Sequence, residues 1–361
     1  MKRIAIVGAG NAGSITALYI HNEIIEDKEI TIYHSPHEHP MEKVGQGTVN
    51  PILELIHESL GCNWYDNPLE ATIKTGILYE GWGKKQDKIF HPFALHEVAA
   101  HFVPQKLSKT VLESGLFNII EKTIDNPEEE IDADMIFDCR GRHNRDSSNY
   151  DTLINPLNSV LLAHKEGKDP DLTYTRTVAT PNGWAFVIPN VDSVSYGYLY
   201  NDTITSTQVA REDFMNRFRI HQDSLPLSFE NYVAKNMFVG ERTILQGNMY
   251  GFLEPMESTS INLCTHLCEQ AFGKDKVSSN NIMRRIVKEL ETFILWHYQF
   301  GSKYDTPFWE YAKSLPFNPD NKFKSIINGS LTEYGFWQKE SFNNWKDGVG
   351  NIRNAVIEYI R

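Results

Sequence analysis

The sequence predicts an α/β fold: a nucleotide-binding, Rossmann-like domain with an inserted antiparallel β-sheet and a helical C-terminal substrate module. Three observations carry this. The chain opens with an apolar strand, a glycine turn and a helix-like stretch, "RIAIVGAGNAGSITALYI". Residues 170 to 201, "PDLTYTRTVATPNGWAFVIPNVDSVSYGYLYN", alternate in short runs separated by Pro, Asn and Gly turns, as antiparallel strands do. From about residue 282 the apolar residues of "IMRRIVKELETFILWHYQF" recur at helical spacing. The expected organisation is a nucleotide-binding box over residues 1–275, with its inserted sheet at about 165–240, and a helical substrate-side module over 276–361.

The first strand, Ile4 to Val7, runs into "GAGNAG", where Gly8, Gly10 and Gly13 stand at GxGxxG spacing. The first glycine allows a tight turn, the second a close approach by a pyrophosphate, and the third close packing of helix on strand. The helix N-terminus attracts the anion. A helix from Ser14 to about Ile25 and the strand "EITIYH" complete a βαβ unit, the context that gives the spacing its meaning. The end of that second strand, where an acidic residue would bind a ribose hydroxyl, holds Tyr33 and His34; the imidazole of His34 can donate or accept a hydrogen bond there.

Further along, "VGQGTVNPILELI" reads as a glycine turn leading into a helix. "ATIKTGILYEGWG" alternates like a half-buried strand, with Ile73, Thr75, Ile77 and Tyr79 on one face and Thr72, Lys74, Gly76 and Leu78 on the other. On spacing alone Lys74 is a solvated lysine on the polar face. The acidic, turn-rich "DNPEEEIDAD" precedes an apolar strand, "MIFDCRG", expected to return to the nucleotide-binding sheet.

With 361 residues, 41% of them hydrophobic, the chain can bury one large core or two ordinary ones. Lys and Arg total 35 against 47 for Asp and Glu, a net charge of −12 whose field repels nucleic acid and anionic membranes. A small-molecule partner is the better expectation. No apolar run approaches the roughly 18 residues a transmembrane helix needs, and only four residues separate Arg3 from the glycine turn, too few for a secretory leader. Four cysteines suit a reducing, cytoplasmic setting. Two clusters resemble metal ligands weakly. His34, His37 and His39 share a Pro-bounded loop, and Cys264 and Cys268 stand four apart in a helix, where buried thiols are packing residues. The expectation is no metal.

Two longer motifs carry a resemblance. "GWAFVIP", Gly183 to Pro189, resembles the Trp-x-Trp-x-Ile-Pro signature of the flavin-dependent halogenases, with Trp184, Ile188 and Pro189 in place and Phe186 where the second tryptophan would be. "GFLEPMESTS", Gly251 to Ser260, resembles their Phe-x-x-Pro-x-x-Ser-x-Gly signature, with Ser260 replacing the glycine. "GNMYGF", "ADMIFDCRG" and "FILWHYQFGSKYDTPFW" are similar to further family segments, and "VGQGTVNPI" to its Gly-Glu-Ala-Thr-x-Pro turn, with Gln46 and Gly47 substituted. The resemblance ends near residue 315, and the chain is shorter than the tryptophan halogenases.

This resemblance implies FAD, used as FADH2, held by Gly8, Gly10, Ala12, Gly13, His34, Gly45 and Thr48. A separate flavin reductase would supply it, since no second nucleotide motif appears. O2 and a halide (chloride, bromide or iodide) then give hypohalous acid. "TIKTGILYEGW" resembles the segment carrying the catalytic lysine, so Lys74 would face an internal passage, with its pKa lowered by burial, and hold that electrophile beside an electron-rich substrate. Glu257 falls on the position of the carboxylate that stabilises the cationic ring intermediate and removes its proton. Glu254, three residues earlier, is expected in solvent. Thr259 and Ser260 match the backbone pair that binds halide, and the serine puts that pocket in question, because an amide nest tolerates a side chain only at negative φ. Ser258, His91, Phe93, Trp184, Phe186 and Pro189 match substrate-side or shaping positions.

The leading expectation is therefore a halogenase of a small aromatic or otherwise electron-rich compound, possible also as a homo-oligomer. A flavin monooxygenase of the same fold would need neither Lys74 nor Glu257. A non-catalytic flavin-binding protein would account for the departures at His34, Gln46, Phe186 and Ser260.

Overall fold

The structure, a computed structural model, describes residues 1–36, 44–84, 87–93, 97–142, 145–167, 173–221 and 224–348. The chain divides into two units of interleaved segments. One comprises Met1–Thr72, Ala99–Thr152 and Asn231–Arg285, the other Ile73–Val98, Leu153–Glu230 and Ile286–Arg361.

The first unit is built on a six-stranded sheet. Its strands lie in the order Phe238–Val239, Thr243–Leu245, Met135–Asp138, Lys2–Val7, Lys28–His34, Asn118–Glu121, all parallel but for the first pair. The central strand is buried through Ile4, Ala5, Ile6 and Val7, so its apolar run is continuous and not alternating, as a strand covered on both faces requires. From Lys2–Val7 the chain goes to one neighbour, Lys28–His34, and later returns to the other, Met135–Asp138. That reversal makes a crevice at the carboxyl ends of these strands, where doubly wound sheets take their ligands. The helix Asn11–Glu23 starts there and packs against the helices Asn50–Leu60, Pro104–Glu113 and Thr259–Ala271.

The second unit holds a seven-stranded sheet in the order Pro226–Ser228, Ser159–Glu166, Ser193–Tyr200, Gly183–Pro189, Thr175–Thr180, Gly76–Glu80, Lys88–Pro92. It is antiparallel except where Thr175–Thr180 meets Gly76–Glu80. The period-2 pattern of "SVSYGYLY" puts Val194, Tyr196, Tyr198 and Tyr200 on one face with Ala185 and Val187. The helix Thr207–Phe218, capped by the Ser206 hydroxyl, covers that face with Ala210, Phe214 and Phe218, spaced four residues apart on one stripe. Each buried Phe contributes roughly 1.5–3 kcal/mol.

Trp184, Phe186 and Ile188 point the other way along the same strand. Trp184 meets Trp82, at 6.4 Å between ring centres, and Trp82 in turn contacts Tyr298, Trp309 and Trp345. The indoles of Trp82 and Trp309 donate to the carbonyls of Thr177 and Thr180, which satisfies their buried polar ends. The helix Lys276–Gln299 contains the stretch of helical spacing noted from about residue 282 and brings Phe293, Trp296 and His297 to this cluster. After it, residues beyond 315 form the helix Asn321–Ile327, a two-strand turn at Glu333–Gln338 and the helix Lys339–Gly348, which lies against the strand Lys88–Pro92. The buried carboxylate of Glu289 ties this segment down, accepting from Lys322 Nζ at 2.9 Å and from the Gly335 amide at 3.0 Å.

Candidate functional site

The glycine turn of the first unit has the geometry its spacing predicts. Gly8 has φ +106, and a Cβ there would stand 2.7 Å from the Cys139 carbonyl oxygen; at Gly13 it would stand 1.8 Å from the Gly8 oxygen. Both positions admit only glycine. At Gly10 an added Cβ meets nothing within 4 Å, so the space above the turn is open. Gly10 precedes the helix Asn11–Glu23 with no side-chain cap, and the buried Asn11 Oδ1 has no partner among the described residues. Open space, uncapped helix amides and an orphaned polar atom together fit a phosphate-bearing ligand.

The surrounding residues brace this turn. The Asp138 carboxylate, 2% exposed, accepts Arg140 Nε at 2.9 Å and Nη2 at 2.8 Å, and that pairing holds the guanidinium pKa up. Burial pushes the neighbouring Cys139 thiol well above its usual range. Gly247, at φ +54, passes so close to the helix start that a Cβ there would lie 2.4 Å from the Cβ of Ala12. Gln246, fully buried, donates to the Cys264 carbonyl and the Cys268 sulfur. Both thiols are packed inside, and burial pushes that of Cys264 up to about 12. The sequence alone does not mark Asp138, Arg140, Gln246 and Gly247: "DCRG" and "GNMYGF" stand out as segments, and neither shows which side chain faces the turn.

His34 ends its strand half-buried, with Nδ1 3.3 Å from the Ser35 carbonyl. Gly45 is buried, and the Thr48 hydroxyl, also buried, is committed to the Ala100 backbone, donating to its carbonyl at 3.0 Å and accepting its amide at 2.8 Å. Thr48 thus shapes the chain path. His37 and His39 lie outside the described residues.

The Gly251–Ser260 segment is strained at two successive positions. Glu257 has φ +67 and Ser258 φ +53, and neither is glycine. Thr259 returns to φ −74 and begins the helix Thr259–Ala271, which has no side-chain cap. A left-handed residue followed by a right-handed one turns successive N–H groups toward one point, a concavity suited to an anion. Ser260 lies within that helix, so its side chain replaces glycine without strain at a right-handed position. Glu257 is half-buried. Glu254 corrects the expectation of a solvated residue: it is 0% exposed, and its amide donates to Asn231 Oδ1 at 2.9 Å. Pro255 and the left-handed pair turn the chain outward only after it, leaving Glu254 inside.

In the second unit Lys74 is 1% exposed while Ile73 beside it is 43% exposed, the reverse of the simple alternating pattern. Thr75 interrupts the run, separating Thr72–Lys74 from Gly76–Glu80, so the face occupied by Ile77 and Tyr79 does not extend back to Ile73. The Lys74 ammonium stands 5.3 Å over the ring of Phe93, whose own amide donates to the Thr75 carbonyl. His91 is 9% exposed on the neighbouring strand, opposite Ile77. Gly76 permits that approach, since a Cβ there would lie 2.3 Å from the His91 oxygen. Trp184, Phe186 and Pro189 are buried in their strand. The site residues therefore divide between the units: glycine turn, Glu257, Ser258, Thr259 and Ser260 in one, and Lys74, His91, Phe93 and the Trp184 strand in the other. Among the described residues no helix is long and apolar enough to cross a membrane.

Comparison with known proteins accords with this geometry. A family model described as tryptophan halogenase matches residues 3–112 and 109–349. The tryptophan 7-halogenase RebH of Lentzea aerocolonigenes is 27% identical over 250 residues, 60% of this chain and 47% of that one. The tryptophan 6-halogenase ThaL of Streptomyces albogriseolus is 24% identical over 218 residues, 54% of this chain and 41% of that one. In both cases the chain spans less than half of the relative's length. The crystal structure of a tryptophan halogenase from Shewanella frigidimarina NCIMB 400 superposes with a TM-score of 0.83 at 17% identity, covering 97% of this chain and 89% of that one, a likeness of fold. With a family model matching across both units, the chain belongs to the tryptophan halogenase family.

Proposed function

We propose that this chain is an FADH2-dependent halogenase that acts on a small aromatic or otherwise electron-rich substrate through Lys74. The observation that carries the reading is the burial of that lysine. An ammonium group is costly to remove from water, by several kcal/mol, unless something in its surroundings uses it. Lys74 is kept inside while its apolar neighbour Ile73 is turned out, an exchange that packing alone would not select.

FAD would be held at the first unit's glycine turn, with the amides beside Gly10 on its pyrophosphate and His34 toward the ribose. Bound and reduced by a separate flavin reductase, it supplies with O2 the oxidising power that converts halide to hypohalous acid. The uncapped amides of Thr259 and Ser260 would attract the halide. Lys74 then donates a hydrogen bond to the oxygen of the hypohalous acid and fixes it in a desolvated place. As a substrate ring carbon attacks the halogen, the oxygen–halogen bond breaks, the Lys74 ammonium gives its proton to the departing hydroxide, and water leaves. Glu257 as carboxylate stabilises the cationic ring and takes its proton. Phe93, His91 and the Trp184 strand shape the passage around the lysine. The helical segment from residue 276 onward is assigned to the substrate side.

Mass spectrometry tests this with the purified chain, FAD, a flavin reductase with NADH, and a panel of phenols and indoles, with chloride, bromide or iodide supplied in turn. The expected result is a halogen mass shift that disappears in Lys74→Ala. A halogen shift that persists in that variant, or oxygen addition in its place, would overturn the assignment.

A further inference from the structure

The second unit contains a cavity of about 510 Å³ that the reaction above does not use. It opens where the helix Thr207–Phe218 ends and ceases to cover the sheet. Its floor is apolar and aromatic, formed by Val178, Ala179, Tyr196 and Phe218. Its walls are cationic: Lys88, Arg176, Arg217, Arg219 and Lys303 stand against Glu80 and Asp87. This local excess of positive charge occurs in a chain whose net charge is −12.

The cations form two sets. Arg217 spends Nε and Nη2 on Asp213, at 3.2 and 2.9 Å, and Nη1 on the Tyr304 hydroxyl at 3.1 Å. Arg176 is paired with Glu80, which also has Lys88 Nζ at 3.6 Å. These groups make a partnered wall. Among the described residues neither Arg219 nor Lys303 is ion-paired with a carboxylate. Both are nonetheless positioned by backbone. Arg219 sits at φ +53 with its amide on the Met215 carbonyl, closing the helix. The Lys303 amide donates to the Gly81 carbonyl, and its stem crosses Gly81, where a Cβ would stand 3.2 Å from Lys303 Cε.

Two placed cations outside any ion pair among the described residues, Lys303 with its ammonium 5.5 Å over the Tyr304 ring, stand beside an apolar floor and complement a molecule with the same division. The cavity also falls in the range of about 300–1,000 Å³ typical of small-molecule sites. The geometry points to a second ligand site, for a flat aromatic anion whose ring lies on Tyr196 and Phe218 and whose charged group is held by Arg219 and Lys303. Charge-assisted hydrogen bonds to that group supply orientation, and burial of the ring supplies the rest. The site shares no residue with Lys74 or the glycine turn, so it stands or falls independently of the halogenation reading.

Isothermal titration calorimetry on the full chain at two temperatures tests it, with 1-naphthoate as the probe. Neutral 1-naphthol, inorganic pyrophosphate and polyglutamate serve as comparisons. Naphthoate is expected to bind one to one, at least tenfold more tightly than naphthol, and to weaken as salt rises from about 0.05 to 0.5 M. The double variant Arg219→Asn, Lys303→Glu should lose at least tenfold in affinity; asparagine is chosen because it tolerates the left-handed backbone. Equal binding by that variant, or no binding of naphthoate at either temperature, overturns the proposal. So does binding of pyrophosphate or polyglutamate in place of naphthoate, which would make the surface an inorganic-anion site or a dock for an acidic protein.

Discussion

The ring of Phe186 occupies the space that a side chain at Gly197, its cross-strand partner, would need: a Cβ there would stand 2.2 Å from both Cε1 and Cζ of the ring. An aromatic laid over a strand glycine compensates for the missing side chain. Gly197→Ala should therefore force the ring off its seat and destabilise the fold by about 1–3 kcal/mol, the usual range for overpacking. A lower urea midpoint at unchanged m-value is the expected readout. Adding Phe186→Leu should recover part of the loss, with a coupling of roughly 0.5–3 kcal/mol. Strictly additive effects would show that the ring is not what the new methyl meets.

Gly247 and Ala12 approach each other in a similar way beside the glycine turn. At 2.4 Å from the Ala12 Cβ, a methyl at Gly247 must displace the first turn of the helix Asn11–Glu23. Gly247→Ala is expected to weaken FAD binding at least tenfold, measured by flavin fluorescence titration. Ala12→Gly in the same chain removes the opposing methyl and should restore most of that affinity. It should not restore the stability lost at φ +54, about 1–2 kcal/mol for a non-glycine residue. Unaltered FAD affinity in Gly247→Ala would separate this contact from the cofactor.

Glu257 and Ser258 carry strain that their side chains do not require. Left-handed non-glycine residues cost on the order of 1–3 kcal/mol each where the surroundings hold them. Ser258→Gly should raise stability by about 1 kcal/mol, because glycine adopts that conformation freely. Glu257→Gln keeps shape and strain but removes the carboxylate proposed as the base. Its stability should be unchanged while kcat falls about 100-fold or more, within the range of general-base loss. A Glu257→Gln enzyme with normal turnover would remove the carboxylate from the mechanism.

How far these features are legible in the sequence depends on how local their causes are. The glycine turn and the Trp184 strand are readable because spacing and period dictate them within a few residues. Lys74 is half readable: its motif neighbours mark it, but alternation assigns it to solvent, and only the interruption at Thr75 reverses the faces of Ile73 and Lys74. Glu254 misleads for the same reason, since nothing nearby says that Asn231 will receive its backbone inside. The segment beyond residue 315 is the least readable. Trp337 lies 4.0 Å from Phe293 and Trp345 4.4 Å from His297 between ring centres, contacts between residues some 44 to 48 positions apart that no local pattern announces. Gly247 belongs with these, because its constraint is a methyl on Ala12.

Acid stability offers a further test at Glu130, which closes the short helix Pro127–Glu130. Its carboxylate accepts the amides of Asn126 and Asp125, both at 2.8 Å, and lies 3.0 Å from Lys122 Nζ. The Asn126 amide first, then Lys122 and the Asp125 amide, hold its pKa down at about 2. An unfolded glutamate titrates near 4.3, so between those values the unfolded chain binds the extra proton. The contribution to stability is therefore complete above about pH 5 and lost as pH falls toward 2. Wild type should exceed Glu130→Gln in urea midpoint at pH 6, with the gap closing steadily below pH 4.5. Subtracting the two profiles cancels the other carboxylates. Added salt should shrink only the part due to Lys122, because the two amide hydrogen bonds are not screened. A gap that stays constant from pH 6 to 3 would mean that ionisation of Glu130 contributes nothing to stability.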